Sequence, residues 1–314
     1  MRATVFLLAF GEEEPTRHEP TNQSEAMSEP TSLPVAVSAH WLRAHRDRVI
    51  VVDTRWYLDG RSGHKAYLGG HLPGAVFADV DTDLSAPASQ EGGRHPLPSP
   101  ETFAASLGAL GIGDDTAVVA YDDAAGSVAA RLVWMLRALG GPAAILDGGI
   151  QSWGGELEEG TIVPEPVHRT PLPWPQGRIA DTETVRAQSG DPNHLLLDAR
   201  AYGRYTGEEP APVDARPGHV PGARSAAWQN NLDENGLLAA PEILRARFAA
   251  LGADTAITTT AYCGSGVTAC HTLLALEHAG YGHTRLYPGS WSRWGGDDSL
   301  PVETGSPDHG PRQD

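Results

Sequence analysis

The sequence predicts an α/β protein built from two tandem copies of one unit, each a mostly parallel sheet flanked by helices. Short apolar segments typical of buried strands alternate with segments of helical pattern, as in parallel sheets covered on both faces. The pattern of residues 35–155 returns in residues 180–303, and a proline-rich linker, residues 156–179, separates the two. At 314 residues the chain is long enough for two domains of ordinary size.

The two ends of the chain differ in composition from the repeated units. Residues 1–34 are rich in Glu, Pro, Thr and Ser, and we expect them to be disordered, as we do the tail at residues 304–314. The apolar run at residues 5–10 is too short for the core of a signal peptide, and no segment reaches transmembrane length. Since fold-like sequence begins only behind this extension, translation from Met27 rather than Met1 is an open alternative.

Within the first unit, strands and helices are expected to alternate. A serine suited to capping precedes the first helix, and a proline stands at the tolerated first position of a later one. The expected elements are a helix over residues 38–45, a strand over 49–53, a turn over 70–75, a helix over 100–107, a strand over 117–121, a helix through 132–136 and a strand over 143–146.

The second unit repeats these landmarks. Residues 194–200 (HLLLDAR) match the first strand and its acid, and residues 218–223 (GHVPGA) match the turn at residues 70–75 (GHLPGA). Residues present in both copies are expected to hold the fold through hydrogen bonds and turn geometry. They are Asp53 and Asp198, Arg55 and Arg200, and His71 and His219.

The stretch at residues 262–269 (YCGSGVTA) is the candidate reactive site. Cys263 follows a strand expected over residues 255–260 and precedes a helix expected over residues 269–276. Backbone N–H groups of such a loop, together with the positive end of the helix dipole, can converge on one anion. Gly264 and Gly266 allow the close turn. The pattern therefore indicates a Cys263 thiolate that acts as a nucleophile.

The first unit lacks this chemistry. At the position of Cys263 it has Asp122, followed by a second acid, Asp123. Two carboxylates would repel an anion, so the anion cradle is expected to be lost there. We therefore predict that only the second unit reacts and that the first contributes packing and one wall of the site.

The composition excludes several classes of partner. The chain has 23 Lys and Arg against 40 Asp and Glu, a formal net charge of −17. Charge of this sign repels the phosphates of nucleic acids and anionic lipid, so we expect neither nucleic acid nor membrane as a partner. The only two cysteines, Cys263 and Cys270, are too few for a structural zinc site and badly placed for a disulfide. Reduced thiols favour a cytoplasmic protein.

Taken together, these residues resemble the tandem-domain rhodanese superfamily over nearly the whole length from about residue 35 to 300. The resemblance rests on two such domains, the paired Gly-His-hydrophobic-Pro-Gly turns, the cysteine in the second copy alone and a terminal Gly-x-x-x-x-Trp element. It implies two tandem rhodanese-like domains and a sulfurtransferase without metal or organic cofactor. Within the superfamily, the loop CGSGVT resembles that of 3-mercaptopyruvate sulfurtransferases. Thiosulfate-using rhodaneses typically carry basic residues at the positions of Gly264 and Ser265.

The identity of the sulfur donor is argued from charge. Thiosulfate is a dianion whose sulfonate calls for side-chain cations beside the nucleophile, and Gly264 and Ser265 supply none. Mercaptopyruvate has one carboxylate, which a single arginine can hold bidentately. The resemblance assigns this to Arg204; the second arginine usual in mercaptopyruvate enzymes falls on Val213 here, with Arg216 the candidate to replace it. We therefore interpret the donor as mercaptopyruvate, with thiosulfate as the alternative.

The resemblance further implies a Ser-His-Asp relay that handles protons at the donor, and it assigns the roles to Ser265, His95 and Asp81. The segment that carries the acid and the histidine is longer than its counterpart in the second copy, as expected if it crosses the domain cleft. A histidine that titrates near neutral pH would serve as general acid or base. The loop residues expected to bind the donor are Gly264, Gly266, Val267 and Thr268.

The implied reaction is ping-pong. The Cys263 thiolate takes the sulfur, leaving pyruvate and a persulfide that the loop N–H groups stabilise. A thiol, cyanide or a thioredoxin-like reductant then accepts the outer sulfur. Two other classes stand as alternatives: a cysteine phosphatase, whose closing arginine would fall on Ala269, and a silent binding module. The intact cysteine loop argues against the second class for the second unit, though not for the first.

Overall fold

The computed structural model describes residues 33–306. The alternative start at Met27, and the disorder expected for residues 1–32 and 307–314, concern residues outside this range. In the described range no helix is long and apolar enough to cross a membrane. The α/β fold is confirmed: helices alternate with strands in each half of the chain, and every strand pairing is parallel.

The first domain contains a sheet of five strands in the order β1-β5-β4-β2-β3. Its central strands are apolar and fully buried, because helices cover both faces. In chain order its elements are β1 Ala36–Val37, α1 Ala39–Ala44, β2 Ile50–Asp53, α2 Gly63–Leu68, β3 Val76–Phe77, α3 Pro100–Ala109, β4 Val118–Tyr121, α4 Ala129–Ala138 and β5 Ala143–Leu146.

The second domain has a four-stranded sheet in the order β7-β6-β8-β9, and Ile179 adds an isolated parallel bridge to Leu286 at the place of a fifth strand. Its elements are α5 Thr182–Gln188, β6 His194–Asp198, α6 Tyr202–Thr206, β7 Arg224–Ser225, α7 Pro241–Ala250, β8 Thr258–Tyr262, α8 Ala269–His278, β9 Thr284–Leu286 and α9 Ser290–Trp294. Strand β8 differs from the expected residues 255–260. Ala256 N–H bonds back to Gly252 in a turn, so the strand begins at Thr258 and reaches Tyr262.

The two domains share one apolar core at their boundary. Helices α4 and α8, which follow corresponding loops in the two sheets, pack against each other, and their buried residues belong to one continuous cluster. At the edge of this contact the Arg137 guanidinium pairs with the Glu277 carboxylate at 2.6 Å. The loops that follow β4 and β8 therefore each lead into one helix of this packed pair.

Residues repeated in both units do hold the fold. Arg55 binds Asp53 at 2.6 Å and Arg200 binds Asp198 at 2.6 Å. Each arginine also donates to the glycine carbonyl that precedes the repeated histidine, at 2.7 Å in both domains. Each pair thus ties the end of a central strand to the turn beside it. This structural role explains why the residues also occur in the domain that lacks the reactive cysteine.

Candidate active site

Cys263 lies in the six-residue loop between β8 and α8. Its exposed fraction is 2%, and its sulfur accepts a hydrogen bond from the Gly266 N–H at 3.2 Å. Gly266 has a φ of +81°, and a Cβ there would lie 2.8 Å from the Pro288 carbonyl oxygen, so the turn requires glycine. The N–H groups of Ser265 and Val267 bond to none of the described residues, which leaves them available to an anion at the sulfur.

The start of α9 fixes this loop from outside. The Cys263 N–H donates to the Ser290 hydroxyl at 3.2 Å, and the Cys263 carbonyl accepts from the Trp291 N–H at 2.9 Å. The Gly264 carbonyl accepts from the Ser292 N–H at 2.8 Å. With both backbone groups of the cysteine engaged, the loop is held in position before any donor binds. Of the remaining predicted loop residues, Val267 packs in the core and Thr268 stands at the N-cap of α8.

The three residues predicted to form a relay meet across the domain boundary. The His95 ring lies with Nδ1 2.7 Å from the Ser265 hydroxyl and Nε2 2.9 Å from Asp81 Oδ1. Trp56 donates its indole N–H to the other Asp81 oxygen at 3.0 Å and packs edge-on against the His95 ring. The first domain therefore supplies the acid and the histidine, and the second supplies the serine.

Burial gives His95 a protonation state different from the one expected. The side chain is 3% exposed, and this burial lowers its pKa to about 4 despite the opposing effect of Asp81. The expectation of a histidine that titrates near neutral pH is therefore wrong. The Asp81 carboxylate accepts the Nε2–H, so that the bare Nδ1 accepts the hydroxyl proton of Ser265.

Two guanidinium groups flank the loop beside Cys263. A Cβ built on Gly264 would lie 3.1 Å from an Nη of Arg204 and 3.3 Å from an Nη of Arg94. Arg204 is fixed by Asp214, whose carboxylate accepts from its Nε at 2.8 Å and its Nη2 at 2.6 Å. Arg94 has no ion pair among the described residues, and its buried Nε has no partner there. The net charge beside Gly264 is therefore positive, which suits a carboxylate.

Arg94 is a residue that sequence reasoning missed. It comes from the first domain, where the Gly93 backbone packs against Gly289 and the Arg94 N–H donates to the Ser292 hydroxyl at 3.0 Å. Burial lowers the pKa of Arg94, but an arginine stays protonated. Its position directly before His95, in a segment predicted to cross the cleft, was the one signal available.

Arg216 corrects a prediction. Its guanidinium does not face Cys263 but donates to carbonyls of the C-terminal segment, at 2.8 Å to Gly295 and 2.6 Å to Asp297. Two further bonds go to carbonyls of the same segment. Arg216 therefore holds this segment in place with four of its five N–H donors.

Cys270 is not a second nucleophile. It is fully buried in α8, and its thiol donates to the Gly266 carbonyl at 3.3 Å. Burial raises its pKa to about 12, so it stays protonated at neutral pH. No group of three or more metal-binding side chains occurs in the described part of the chain.

The corresponding loop of the first domain keeps the cradle that we expected it to have lost. The Asp122 carboxylate fills it and accepts four backbone N–H groups at 2.7–2.8 Å. Burial raises the pKa of Asp122, and these four donors oppose that rise. No sulfur and no hydroxyl equivalent to Ser265 occurs in this loop, which has Ala124 two positions after the acid.

Comparison with known proteins gives concordant matches. The model of the Rhodanese-like domain matches the chain twice, over residues 38–156 and 181–297. The chain is 44% identical to the "Probable 3-mercaptopyruvate sulfurtransferase" of Pseudomonas aeruginosa, over 82% of this chain and 93% of that protein. It is 37% identical to a thiosulfate sulfurtransferase of Bos taurus, over 78% of this chain and 84% of that one. The crystal structure of SseA from Escherichia coli, a 3-mercaptopyruvate sulfotransferase, superposes with a TM-score of 0.70 at 32% identity and covers 82% of this chain and 99% of its own.

Proposed function

The chain belongs to the family of rhodanese-like domain proteins and is a sulfurtransferase, and we propose that it transfers sulfur from 3-mercaptopyruvate to an acceptor through a persulfide on Cys263. The observation that carries the proposal is the meeting of three groups at one loop. They are the Cys263 sulfur, the hydrogen-bonded series Ser265–His95–Asp81, and the two guanidinium groups beside Gly264. Each matches one part of the donor: its sulfur, its proton and its carboxylate.

The first half-reaction needs a nucleophile and a proton path. The Cys263 thiolate attacks the donor sulfur, a sulfur–sulfur bond forms, and the carbon–sulfur bond of the donor breaks with its electron pair going to carbon. The proton of the donor thiol ends on that carbon, so that mercaptopyruvate leaves as pyruvate and the enzyme holds a persulfide anion. Charge and hydrogen balance without an oxidant or reductant.

The relay is suited to carry that proton. Neutral His95 accepts from the Ser265 hydroxyl, and its other nitrogen donates to Asp81, so a proton taken up through Ser265 has a carboxylate to stabilise it. The proton then returns by the same path to the carbon of the departing enolate. The Gly266 N–H, with the free N–H groups of the loop, stabilises the negative sulfur that remains.

The carboxylate of the donor fits between Arg204 and Arg94. Arg204 is oriented by Asp214 and cannot swing away, whereas Arg94 brings a cation without a carboxylate partner from the opposite domain. A carboxylate held there places the donor sulfur over Cys263 and the donor thiol proton near Ser265. Arg94 thus serves as the second carboxylate-binding arginine, which the alignment would have placed at Val213.

Thiosulfate is the second candidate donor, and the same two arginines favour it. Gly264 and Ser265 bring no cations themselves, but the guanidinium groups of Arg94 and Arg204 lie close enough to Gly264 to bind a sulfonate. In that reaction sulfite leaves with the electron pair of the broken sulfur–sulfur bond, and no proton moves. The relay would then have no part in the first half-reaction.

Steady-state kinetics with the two donors separates the candidates. With cyanide as the shared acceptor, we expect kcat/KM for mercaptopyruvate to exceed that for thiosulfate at least tenfold or so, with pyruvate formed in step with thiocyanate. A higher value for thiosulfate would make the second candidate the function. Turnover of neither donor by the folded enzyme would contradict the proposal as a whole.

The acceptor and the compartment complete the proposal. A small thiol, cyanide or a thioredoxin-like reductant takes the outer sulfur and returns the thiolate. Because the reaction needs Cys263 in the thiolate form and Cys270 is also a free thiol, a reducing compartment such as the cytoplasm suits the enzyme. Cell fractionation followed by immunodetection tests the location.

A further inference from the structure

Arg131 is a charged residue to which the proposed reaction gives no role. It lies in the first turn of α4, in the domain without the nucleophile, and its exposed fraction is 0%. Its Nη1 donates to the Gly266 carbonyl at 3.0 Å, and its Nη2 donates to the carbonyls of His95 at 3.1 Å and Leu84 at 3.2 Å. One side chain of the first domain therefore binds both the cysteine loop and the segment that carries the relay histidine.

The charge of Arg131 lacks a carboxylate counter-ion. Its four hydrogen bonds to oxygen in the described part of the chain all go to neutral carbonyls, its Nε has no partner there, and the Cys270 sulfur that also interacts with it belongs to a protonated thiol. Burial lowers the pKa of Arg131, and the electrostatic effect of the Cys270 and Cys263 sulfurs opposes that change. An arginine stays protonated even so, and a buried cation bound only to neutral groups is unfavourable.

Of the two sulfurs near this cation, Cys263 is the one that becomes an anion. Cys270 remains a thiol because burial raises its pKa to about 12. The same Gly266 carbonyl that binds Arg131 also accepts the Cys270 thiol. Negative charge on Cys263, as thiolate or persulfide, therefore forms next to a cation that is already in place.

Gly266 is the mechanical link between Arg131 and the reacting sulfur. Its N–H donates to Cys263 at 3.2 Å, while its carbonyl accepts from the guanidinium at 3.0 Å. With a φ of +81° and the Pro288 carbonyl close behind it, Gly266 has little room to rotate. The Gly266 carbonyl shares its peptide plane with the Val267 N–H, which has no partner among the described residues, so loss of the Arg131 contact would free the direction of that loop donor.

We propose that Arg131 is a positioning residue and buried counter-charge by which the domain without the nucleophile stabilises negative sulfur on Cys263. This rests on the proposed function, in which Cys263 carries the transferred sulfur. It assigns the first domain an electrostatic contribution in addition to the relay residues and Arg94. A purely structural arginine would secure the domain contact and leave the reactivity of the sulfur unchanged.

The test compares substitutions at Arg131 with a matched control on the same helix. Arg131→Met keeps the length and removes the charge, whereas Arg131→Lys keeps the charge but cannot span the Gly266 and His95 carbonyls together. Arg137→Met is the control. That arginine also lies on α4, also joins the domains, through Glu277, and also binds backbone carbonyls, but it has no contact with the cysteine loop.

The readout is the rate at which iodoacetamide alkylates Cys263 at one fixed pH, together with kcat and KM for mercaptopyruvate. For Arg131→Met we expect alkylation and kcat to fall about tenfold or more, with KM changed less. For Arg131→Lys we expect alkylation within about threefold of wild type but a lower kcat, because charge is kept and position is lost. Arg137→Met should lower the melting temperature and leave alkylation and kcat within about twofold.

Four outcomes would overturn the inference. A folded Arg131→Met enzyme with wild-type alkylation and kcat would make Arg131 structural, as would an equal loss in Arg137→Met. If Arg131→Met does not fold, a Lys variant with unchanged kcat, or with alkylation reduced as much as kcat, contradicts the division of roles. Alkylation needs no sulfur donor, so it tests the counter-charge even if wild-type enzyme forms no persulfide, a result that would refute the proposed function instead.

Discussion

The loops that follow β4 and β8 both direct backbone N–H groups at one side chain, but the side chain differs between the two domains. In the first domain the Asp122 carboxylate occupies the cradle and accepts four N–H groups. In the second domain the Cys263 sulfur accepts one N–H group, and the N–H groups of Ser265 and Val267 have no partner among the described residues. Both loops turn through positive φ three positions after the acceptor, +53° at Ala125 and +81° at Gly266.

The comparison teaches that the anion cradle belongs to the fold and the reactivity to what fills it. A carboxylate satisfies the donors of the first loop as soon as the protein folds, so that these N–H groups cannot bind another anion. The second loop keeps donors in reserve for charge that appears only when sulfur arrives, which is how preorganised donors stabilise an intermediate. The domain with the filled loop places His95, Arg94 and Arg131 against the other loop, and in the proposed reaction these residues act on its sulfur and its donor.

The largest effect on activity should come from placing a carboxylate in the second loop, as Asp122 is placed in the first. Cys263→Asp removes the nucleophile, and we expect activity with either donor to fall to background, as in Cys263→Ser. The introduced carboxylate would however accept the loop N–H groups, so Cys263→Asp should melt at a temperature equal to or above that of Cys263→Ser. Activity assays and thermal unfolding of the two variants measure both effects.

Cys270→Ser is the matched control for the nucleophile. It should keep most of the activity, and after incubation with donor the wild-type mass should rise by one sulfur at Cys263 alone. Sulfur found on Cys270 would move the site. A Cys263→Asp protein less stable than Cys263→Ser would show that the two loops are not equivalent cradles.

The relay is the second difference between the loops, since Ala124 in the first has no hydroxyl to match Ser265. His95→Asn cannot carry a proton, and we expect kcat with mercaptopyruvate to fall about a hundredfold or more. With thiosulfate, where no proton moves, kcat should stay within about threefold. His271→Asn is the control, because His271 is also buried with its pKa lowered to about 4 but lies outside the relay. A parallel loss with both donors would remove the proton role.

Acid sensitivity follows from the same histidine. Its folded pKa of about 4 lies below the unfolded value near 6.5, so the unfolded chain binds the proton first as pH falls. His95 therefore lowers the free energy of unfolding between about pH 6.5 and pH 4, by up to roughly 3 kcal/mol. His95→Asn should flatten this part of the stability curve, measured by urea unfolding across that range. An unchanged slope would contradict the pKa.

The sequence predicted the Cys263 loop because strand, glycines and helix follow each other along the chain, and local order sets local geometry. It predicted the relay only through resemblance, since the His95–Ser265 contact joins positions far apart. Arg94 was missed for the same reason: it approaches Gly264 from the other domain, and no spacing along the chain reveals that approach. Arg216 was misassigned because nearness in sequence does not tell which acceptors a guanidinium meets.

The cation pair is a third difference, because only the second loop is faced by Arg94 and Arg204. Removing a charged hydrogen bond to the donor should lower kcat/KM about tenfold to a hundredfold, mainly through KM. Arg204→Ala should cost more than Arg94→Ala, since it also removes the close cation partner of the Asp214 carboxylate and leaves it the Ala211 N–H at 3.3 Å and a distant Arg200 contact at 3.8 Å. Arg216→Ala is the control and should reduce stability with little change in KM. Equal kinetics for Arg94→Ala and wild type would exclude Arg94 from donor binding.

The smallest effect on catalysis should come from the filled loop itself. In Asp122→Asn one oxygen becomes an NH₂ group that faces N–H donors, so two hydrogen bonds to a charged acceptor are lost and the free energy of unfolding should drop by about 3 kcal/mol. Asp123→Asn, beside it, loses only the bond from the Tyr57 hydroxyl and should cost far less. Because the hydrogen bonds of the Asp122 carboxylate all go to N–H groups of its own loop and the start of α4, kcat/KM of the folded variant should stay within about threefold. Urea unfolding and donor kinetics on both variants decide the matter. A large loss of activity in folded Asp122→Asn would mean that the first loop sets the position of Arg131 at the start of α4, and that the two loops act as one site.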